Sequence, residues 1–509
     1  MKGKVYLVGA GPGDPGLLTV KASKLIRSAD LIVYDYLVNP EHLRDAKPGA
    51  VKIGVGKGYR YRRLSQRRIN RLIVRAAGAG KQVVRLKGGD PYLFGRGGEE
   101  ALILHKNRVP FEVVPGVTSA TACAAYAGIP LTHREHNASV TFLTGHRADD
   151  EGLSSIRWSE LVALGGTLAV YMGFYNLGMI AKKLVEAGMP AGTKISVIEW
   201  GTLPRQKSCD GTLKDIASLV RAKNLKPPCL MVIGEVVSLR KELGWYERLP
   251  LFGKRVVVTR TRERSAAMRE KLLELGAETI EFPTIAVEPL ENFSKMDAAV
   301  AGLSNFDWLV FSSAYGVDAF FERLTEKHRK DARALEGIKV AAVGPETASS
   351  LRRWGILADK IPAQFETAAL LRYFQTKRRE IRGKKILLAR AELAPKGLEE
   401  GLKKMGAVAH RLTAYRTVIP KTGSAEIRRI RARMLRGEVD FITFTSASTV
   451  SHFVKMVGLA AARKIAGKTR WASIGPVTSR AIRSFGLKPA CQAKTYTVDG
   501  LIKAMRGSR

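Results

Sequence analysis

Three stretches in the second half of this chain recur about 130 residues further on, and a repeat of that length commits the chain to two similar bodies. GKRVVVTRTRERSAAMREKLLELGAETIEF from Gly253 returns as GKKILLARAELAPKGLEEGLKKMGAVAHRL from Gly383. FDWLVFSSAYGVDAFF from Phe306 returns as VDFITFTSASTVSHFV from Val439, and AAVGPETASSLRRWGI from Ala341 returns as ASIGPVTSRAIRSFGL from Ala472. Each copy sets short apolar β-rich runs beside helical patterns, which predicts paired α/β lobes with a ligand-binding cleft between them.

The first half alternates in the same way: VYLVGA, LTVKASKLIRSA, LIVYDYL, then QVVRLKG before another helical pattern. Such alternation places ligands at the loops beyond the carboxyl ends of strands. PPCLMVIGEVV reads as a last buried strand, and GWYERLPLFG from Gly244 to Gly253 as a linker. At 509 residues the chain has room for two to four domains. The expected division is residues 1–245, a linker at 246–252, and a pseudo-repeated 253–509 with lobes of about 253–290 plus 420–509 and about 291–419.

Two glycine stretches carry chemistry. Gly11, Gly13 and Gly16 satisfy a dinucleotide fingerprint, and Asp35 ends the next strand where a ribose-binding acid would lie, so an NAD(P) oxidoreductase is one reading. Pro12 and Pro15 lack the amide N–H groups that a pyrophosphate needs, and Asp14 would repel phosphate. A nucleoside ligand without phosphates, such as S-adenosylmethionine, suits this loop better. In GGDPYLFGRGGEE, Gly88 and Gly89 bare the backbone, Asp90 turns the chain, and Arg96 and Glu99 fall on one side of a short helix. The ordinary alternative is a surface turn with an ion pair.

Eighty-five Lys and Arg against 46 Asp and Glu give a formal charge of +39, which fits an acidic partner: nucleic acid, a membrane surface or a polycarboxylate. Tyr59, Arg60, Tyr61, Arg62 and Arg63, followed by Arg67 and Arg68, would suit nucleic acid or form a rim that gathers polycarboxylates. Four scattered cysteines without a CxxC point to a reducing, cytoplasmic setting, and the opening MKGKVYLVGAG is too short for a signal peptide. His133 and His136 have no Cys or carboxylate cluster beside them, so no metal site is expected. The uncharged 161–181 is broken by Gly165, Gly166, Gly173 and Gly178 and reads as core, not as a membrane span.

With GAGPGDPGLLT, LKGGDPYLFGRGGEE, VVPGVTSA, GIPLTHR and VYMGF in this order, residues 1–245 resemble the uroporphyrinogen-III C-methyltransferases of the tetrapyrrole methylase family. The resemblance implies a homodimeric enzyme of two α/β subdomains that moves two methyl groups from S-adenosylmethionine onto rings A and B of uroporphyrinogen III. The products it implies are precorrin-2 and S-adenosylhomocysteine. By that resemblance Pro12, Gly88, Gly89, Asp90, Leu93, Thr118, Ser119, Met172 and Gly201 bind the methyl donor, Asp35 and Lys57 take acid and base roles, and Arg96 and Glu99 line the tetrapyrrole site. Ordinary alternatives stand beside these: Asp35 as a strand-end cap, Lys57 as an anchor for a carboxylate, Met172 as core.

Residues 252–509 resemble the uroporphyrinogen-III synthases, on the paired VVVTR/ILLAR strands, FSSA/FTSA loops and VGPETA/IGPVTS turns. This implies two similar flavodoxin-like α/β domains and closure of hydroxymethylbilane to uroporphyrinogen III with inversion of ring D, without a cofactor. Ser312, Ser313, Thr347, Ser446 and Thr478 are candidate donors to propionate and acetate groups, and Tyr415 matches the family tyrosine suspected of helping the hydroxyl leave. Its alternative is a half-buried strand tyrosine. The chain shows no spare length for the dehydrogenase and ferrochelatase segment that some relatives add.

Overall fold

The computed structural model describes residues 3–56, 64–145, 153, 155–362, 367–392, 394–420 and 424–508. The chain divides into two compact units, Met1–Lys254 with Leu272–Glu278, and Arg255–Lys271 with Thr279–Arg509.

The first unit holds two five-stranded sheets. One is parallel, in the order β3-β2-β4-β1-β5, from β1 (Val5–Gly9), β2 (Leu31–Asp35), β3 (Val51–Val55), β4 (Val83–Lys87) and β5 (Phe111–Val114). Its central strands are covered on both faces, as their Val/Leu/Ile runs require. The other runs β6-β7-β10-β8-β9, from β6 (Val140–Thr144), β7 (Thr167–Tyr171), β8 (Lys194–Glu199), β9 (Lys207–Thr212) and β10 (Cys229–Ile233). Only β6 and β7 pair in parallel there. The uncharged 161–181 supplies β7 and the start of the helix Leu177–Glu186, and no helix among the described residues is long and apolar enough to cross a membrane.

The stretch read as a linker is built into this unit. Tyr246 and Leu251 are buried, and the Tyr246 hydroxyl donates to the Thr202 carbonyl at 3.2 Å. Glu247 accepts from Gln206, Ser208 and Arg240 at 2.9, 2.6 and 2.7 Å. Aromatic area and satisfied charge, not turn chemistry, decide the fate of this stretch.

The second unit contains β11 (Arg255–Val258), β12 (Glu278–Glu281), β13 (Ala286–Glu288), β14 (Trp308–Phe311), β15 (Lys339–Ala342), β16 (Lys385–Ala391), β17 (Val408–Val418), β18 (Phe441–Phe444), β19 (Arg470–Ser473) and β20 (Cys491–Gln492). Two sheets result, β12-β11-β18-β19-β20 and β13-β17-β16-β14-β15. Replacing each strand by its counterpart in the repeat turns β12-β11-β18-β19 into β17-β16-β14-β15, so the two lobes share one strand order. The chain crosses between lobes before β13, which pairs antiparallel with Arg416–Val418. The crossing therefore falls a few residues ahead of the boundary expected near 290.

Candidate functional site

In the first unit the carboxyl ends of β1, β4 and β5 converge on bare backbone. Gly11 and Gly89 exchange hydrogen bonds, 3.2 Å from the Gly11 amide and 2.8 Å from the Gly89 amide. A Cβ on Gly9 would meet Gly116 and the Gly89 carbonyl at 2.5 and 2.7 Å, so these loops touch only because they lack side chains. On Gly88 and Gly89 it would find only Leu37 at 3.4 Å and Ser119 and Thr118 at 3.9 Å. That open side is a ledge fit for a ligand lying on the backbone. Asp90 shapes it: one carboxylate oxygen caps Tyr92 and Leu93, and the other accepts from the Gly116 amide at 3.1 Å.

The first glycine loop is fastened from the second sheet's side. Asp14 accepts from Gly16 at 2.7 Å and from the Tyr126 hydroxyl at 2.6 Å, and its amide donates to Thr202. The chain beyond Gly16 makes a short turn, Pro15–Leu17, and the helix opens only at Val20, so this loop does not lead directly into a helix. A dinucleotide fingerprint needs the loop to open straight into a helix whose N-terminus takes the phosphates, and this loop does not.

Around the ledge stand the other expected donor residues. The Thr118 hydroxyl meets the Tyr171 hydroxyl at 2.6 Å, Ser119 opens the helix Ser119–Ala127, and Gly201 is buried against Cys123, whose sulfur would lie 2.4 Å from a Cβ there. Phe94, Arg96, Met172, Trp200 and Thr202, all in loops of this region, hold positive φ. Non-glycine residues do so at a cost, and such strain concentrates at functional sites. Met172 is exposed and Leu93 half-buried; Met172 is thus not core. Pro12 follows Gly11 at the lip.

Asp35 ends β2 beside Lys87 and rests on a charged layer that sequence reading passed over. Arg85 donates to Asp35 at 2.6 Å and to Glu100 at 2.9 Å; Lys87 lies 3.1 Å from Glu100 and 3.9 Å from Asp35. Gln66 adds a bond to Glu100 at 2.8 Å. Arg85, Lys87 and Glu100 are buried, whereas Asp35 is about a third exposed at 31%. Burial opposes charge on Glu100, but Arg85 and Lys87 outweigh it and hold the carboxyl below its ordinary range. Burial, with Arg85 alongside, lowers Lys87. The signal for this layer was two basic residues two apart in the apolar VVRLK, which points both to one face of a covered strand.

Arg96 and Glu99 form a bidentate pair, 2.9 and 2.7 Å, exposed at the start of the helix Gly97–Lys106. The hydrogen bond from Arg96 lowers the Glu99 carboxyl. Lys57 and the Tyr59–Arg63 cluster lie outside the described residues.

In the second unit Ser313 caps the helix Ala314–Glu326 and Ser446 caps Ala447–Val457, each accepting from a backbone amide. Ser312 is half-buried beside Ser313. Thr347 and Thr478 are buried in the first turns of their helices. Tyr415, on β17, is buried, not half-buried; its hydroxyl meets that of Ser313 at 2.9 Å and its ring lies 5.7 Å from that of Tyr315. Burial raises its phenol above the ordinary value, against the hydrogen bond from Ser313. Sequence reading also passed over Arg260, Arg264, Tyr315, Asp318 and Glu346, which join the two lobes: Arg260 reaches Glu346 at 2.5 Å, and Arg264 reaches Asp318 at 2.8 Å.

Comparison with known proteins matches a different family in each half of the chain. Residues 4–217 match the family described as Tetrapyrrole (Corrin/Porphyrin) Methylases, and residues 266–503 match Uroporphyrinogen-III synthase HemD. The chain is 36% identical over 501 residues to "Porphyrin biosynthesis protein HemD" of Ruminiclostridium josui, covering 98% of this chain and 97% of that one. It is 49% identical over 245 residues to a uroporphyrinogen-III C-methyltransferase of Bacillus subtilis, covering 48% of this chain and 95% of the relative. Among solved structures, the Thermus thermophilus uroporphyrin-III C-methyltransferase complexed with S-adenosylhomocysteine is 38% identical, covering 47% of this chain and all of that one at a TM-score of 0.39.

Proposed function

Since the chain belongs to the tetrapyrrole methylases in its first half and to the uroporphyrinogen-III synthases in its second, we propose that it performs two consecutive steps of tetrapyrrole synthesis. The second unit closes hydroxymethylbilane to uroporphyrinogen III with inversion of ring D. The first unit then methylates rings A and B of that product, giving precorrin-2. One acidic, eight-carboxylate compound leaves one site and enters the other, which accords with the charge of +39.

The observation that carries the methyltransferase reading is the open ledge at Gly88 and Gly89 beside Asp35. S-adenosylmethionine supplies an electrophilic methyl group there. Gly88, Gly89, Pro12, Leu93, Thr118, Ser119, Met172 and Gly201 are the residues to hold it, with Asp90 shaping the ledge from behind. A reduced pyrrole carbon is already electron-rich, so the protein's main work is alignment. Asp35, held by Arg85 and about a third exposed, takes up the proton lost as the ring rearranges. Arg96 is suited to a substrate carboxylate by its planar fork, with Glu99 keeping it in position until then.

In the second unit uncatalysed closure gives the symmetric isomer, so the protein's task is to fold the linear substrate. Ser312, Ser313 and Ser446 offer hydroxyls at the lobe loops, and Tyr415 assists the departing hydroxyl through its bond to Ser313. A homodimer formed through the first unit and a cytoplasmic location complete the proposal. Incubating the protein with uroporphyrinogen III and S-adenosylmethionine without oxygen tests the first step: a dimethylated product is expected, and Arg96→Ala should suppress it while leaving ring closure intact. Unmethylated uroporphyrinogen III from the wild type would refute the methyltransferase assignment.

A further inference from the structure

The lobes of the second unit are joined by two arginines that the synthase reading leaves unused. Arg260 follows β11 and Arg264 lies in the first turn of the helix Arg262–Glu274, both in the first lobe. From there Arg260 reaches Glu346 at 2.5 Å, and Arg264 reaches Glu346 at 3.4 Å and Asp318 at 2.8 Å. The Arg264 guanidinium lies 4.0 Å over the ring of Tyr315, whose hydroxyl bonds to Thr261. Tyr315 in turn packs on Tyr415, so Arg264 adjoins the tyrosine expected to act in ring closure, and Arg260 shares Glu346 with Arg264.

The partners differ in how firmly they are held. Asp318 also accepts from Ser350 at 2.5 Å, with Arg353 and Trp354 each at 3.4 Å. Glu346 projects from the first turn of the helix Pro345–Arg353, and its side chain is 58% exposed, against 11% for Arg260 and 16% for Arg264. Two largely covered guanidinium groups thus meet a carboxylate in open solvent. The repeat sharpens the contrast: Arg390, the counterpart of Arg260, is buried in its own lobe, bonded to Glu399 and the Pro395 carbonyl at 2.7 Å each. One copy of this arginine is paired within its own lobe, and the other crosses the cleft.

Resting on the synthase reading, we propose that Arg260 and Arg264 are the carboxylate receptors of the ring-closing site, and that Glu346 occupies them until a propionate or acetate of the substrate displaces it. A forked guanidinium accepts either carboxylate in the same geometry. Asp318 stays behind and keeps Arg264 aimed into the cleft, and the charge balance is unchanged by the exchange. Entry of substrate also releases a contact between lobes, so binding and lobe separation are coupled.

A clamp that is merely structural makes both sides of the ion pair act alike; a receptor with a competitor makes them act oppositely. Wild type, Arg260→Gln, Arg264→Gln, Arg264→Lys and Glu346→Gln are compared for KM with hydroxymethylbilane and for the ratio of type III to type I product. Arg264→Gln and Arg260→Gln should each raise KM about tenfold or more and admit type I product, with partial recovery in Arg264→Lys. Glu346→Gln should lower KM about two- to fivefold, the range of an exposed ion pair. A rise in KM for Glu346→Gln, or no change in it, overturns the assignment, and this holds even if the arginine variants do not fold. Failure of the wild type to give type III product refutes the synthase reading itself, a distinguishable result.

Discussion

Glu100→Gln removes one charge from the layer beneath Asp35 and nothing else of comparable size. Its carboxylate is fully buried and meets Arg85, Lys87 and Gln66 at 2.9, 3.1 and 2.8 Å. Without it, two buried cations share Asp35 alone, and removing one partner of a buried ion pair costs about 3–5 kcal/mol. For a unit of this size that corresponds to a fall in Tm of roughly 6–20 °C. Scanning calorimetry should show the shift in the first unit's transition, with ring closure by the second unit retained and methyl transfer reduced as Asp35 loses its fixed setting. The pH dependence carries a sign. The Glu100 carboxyl is held below its ordinary value, so its contribution is full above about pH 4.3 and fades as pH falls through its folded value. Glu100→Gln should therefore flatten the acid limb of the stability curve. A loss below about 1 kcal/mol, or an unchanged acid limb, would refute the view that this layer holds Asp35.

Two other changes test the surrounding structure. Tyr246→Ala removes a buried ring packed 4.8 Å from Tyr126, the residue that fastens Asp14, so it should cost about 3–5 kcal/mol and impair methyl transfer; full methylation by a stable variant would contradict the packing. Tyr415→Phe should lower kcat for ring closure about a hundredfold with little change in KM, and an unaltered kcat would remove the tyrosine from the chemistry.

The glycine ledge was legible because Gly88-Gly89 at the end of an apolar run has few other uses, and the repeat was legible because its strands, caps and turns recur together. The layer under Asp35 was not, because Glu100 lies thirteen residues beyond Lys87 and only the register of β4 against the helix Gly97–Lys106 joins them. GWYERLPLFG was misread through its glycines and proline; Tyr246 and Leu251 carry the buried area that docks it, and the exposed Trp245 sets its ring edge on Tyr126. Thr347 and Thr478 looked available in GPETA and GPVTS, but helix starts at Pro345 and Pro476 turn them inward. The cross-lobe arginines were hidden by the repeat itself, since Arg260 and Arg390 occupy matching places and serve different partners.

The central claim is that one chain carries out both steps in sequence. Purified protein given hydroxymethylbilane and S-adenosylmethionine under anaerobic conditions should yield dimethylated type III product by mass spectrometry after brief reaction. Only unmethylated or symmetric type I material, with both substrates present and the protein folded, would contradict it.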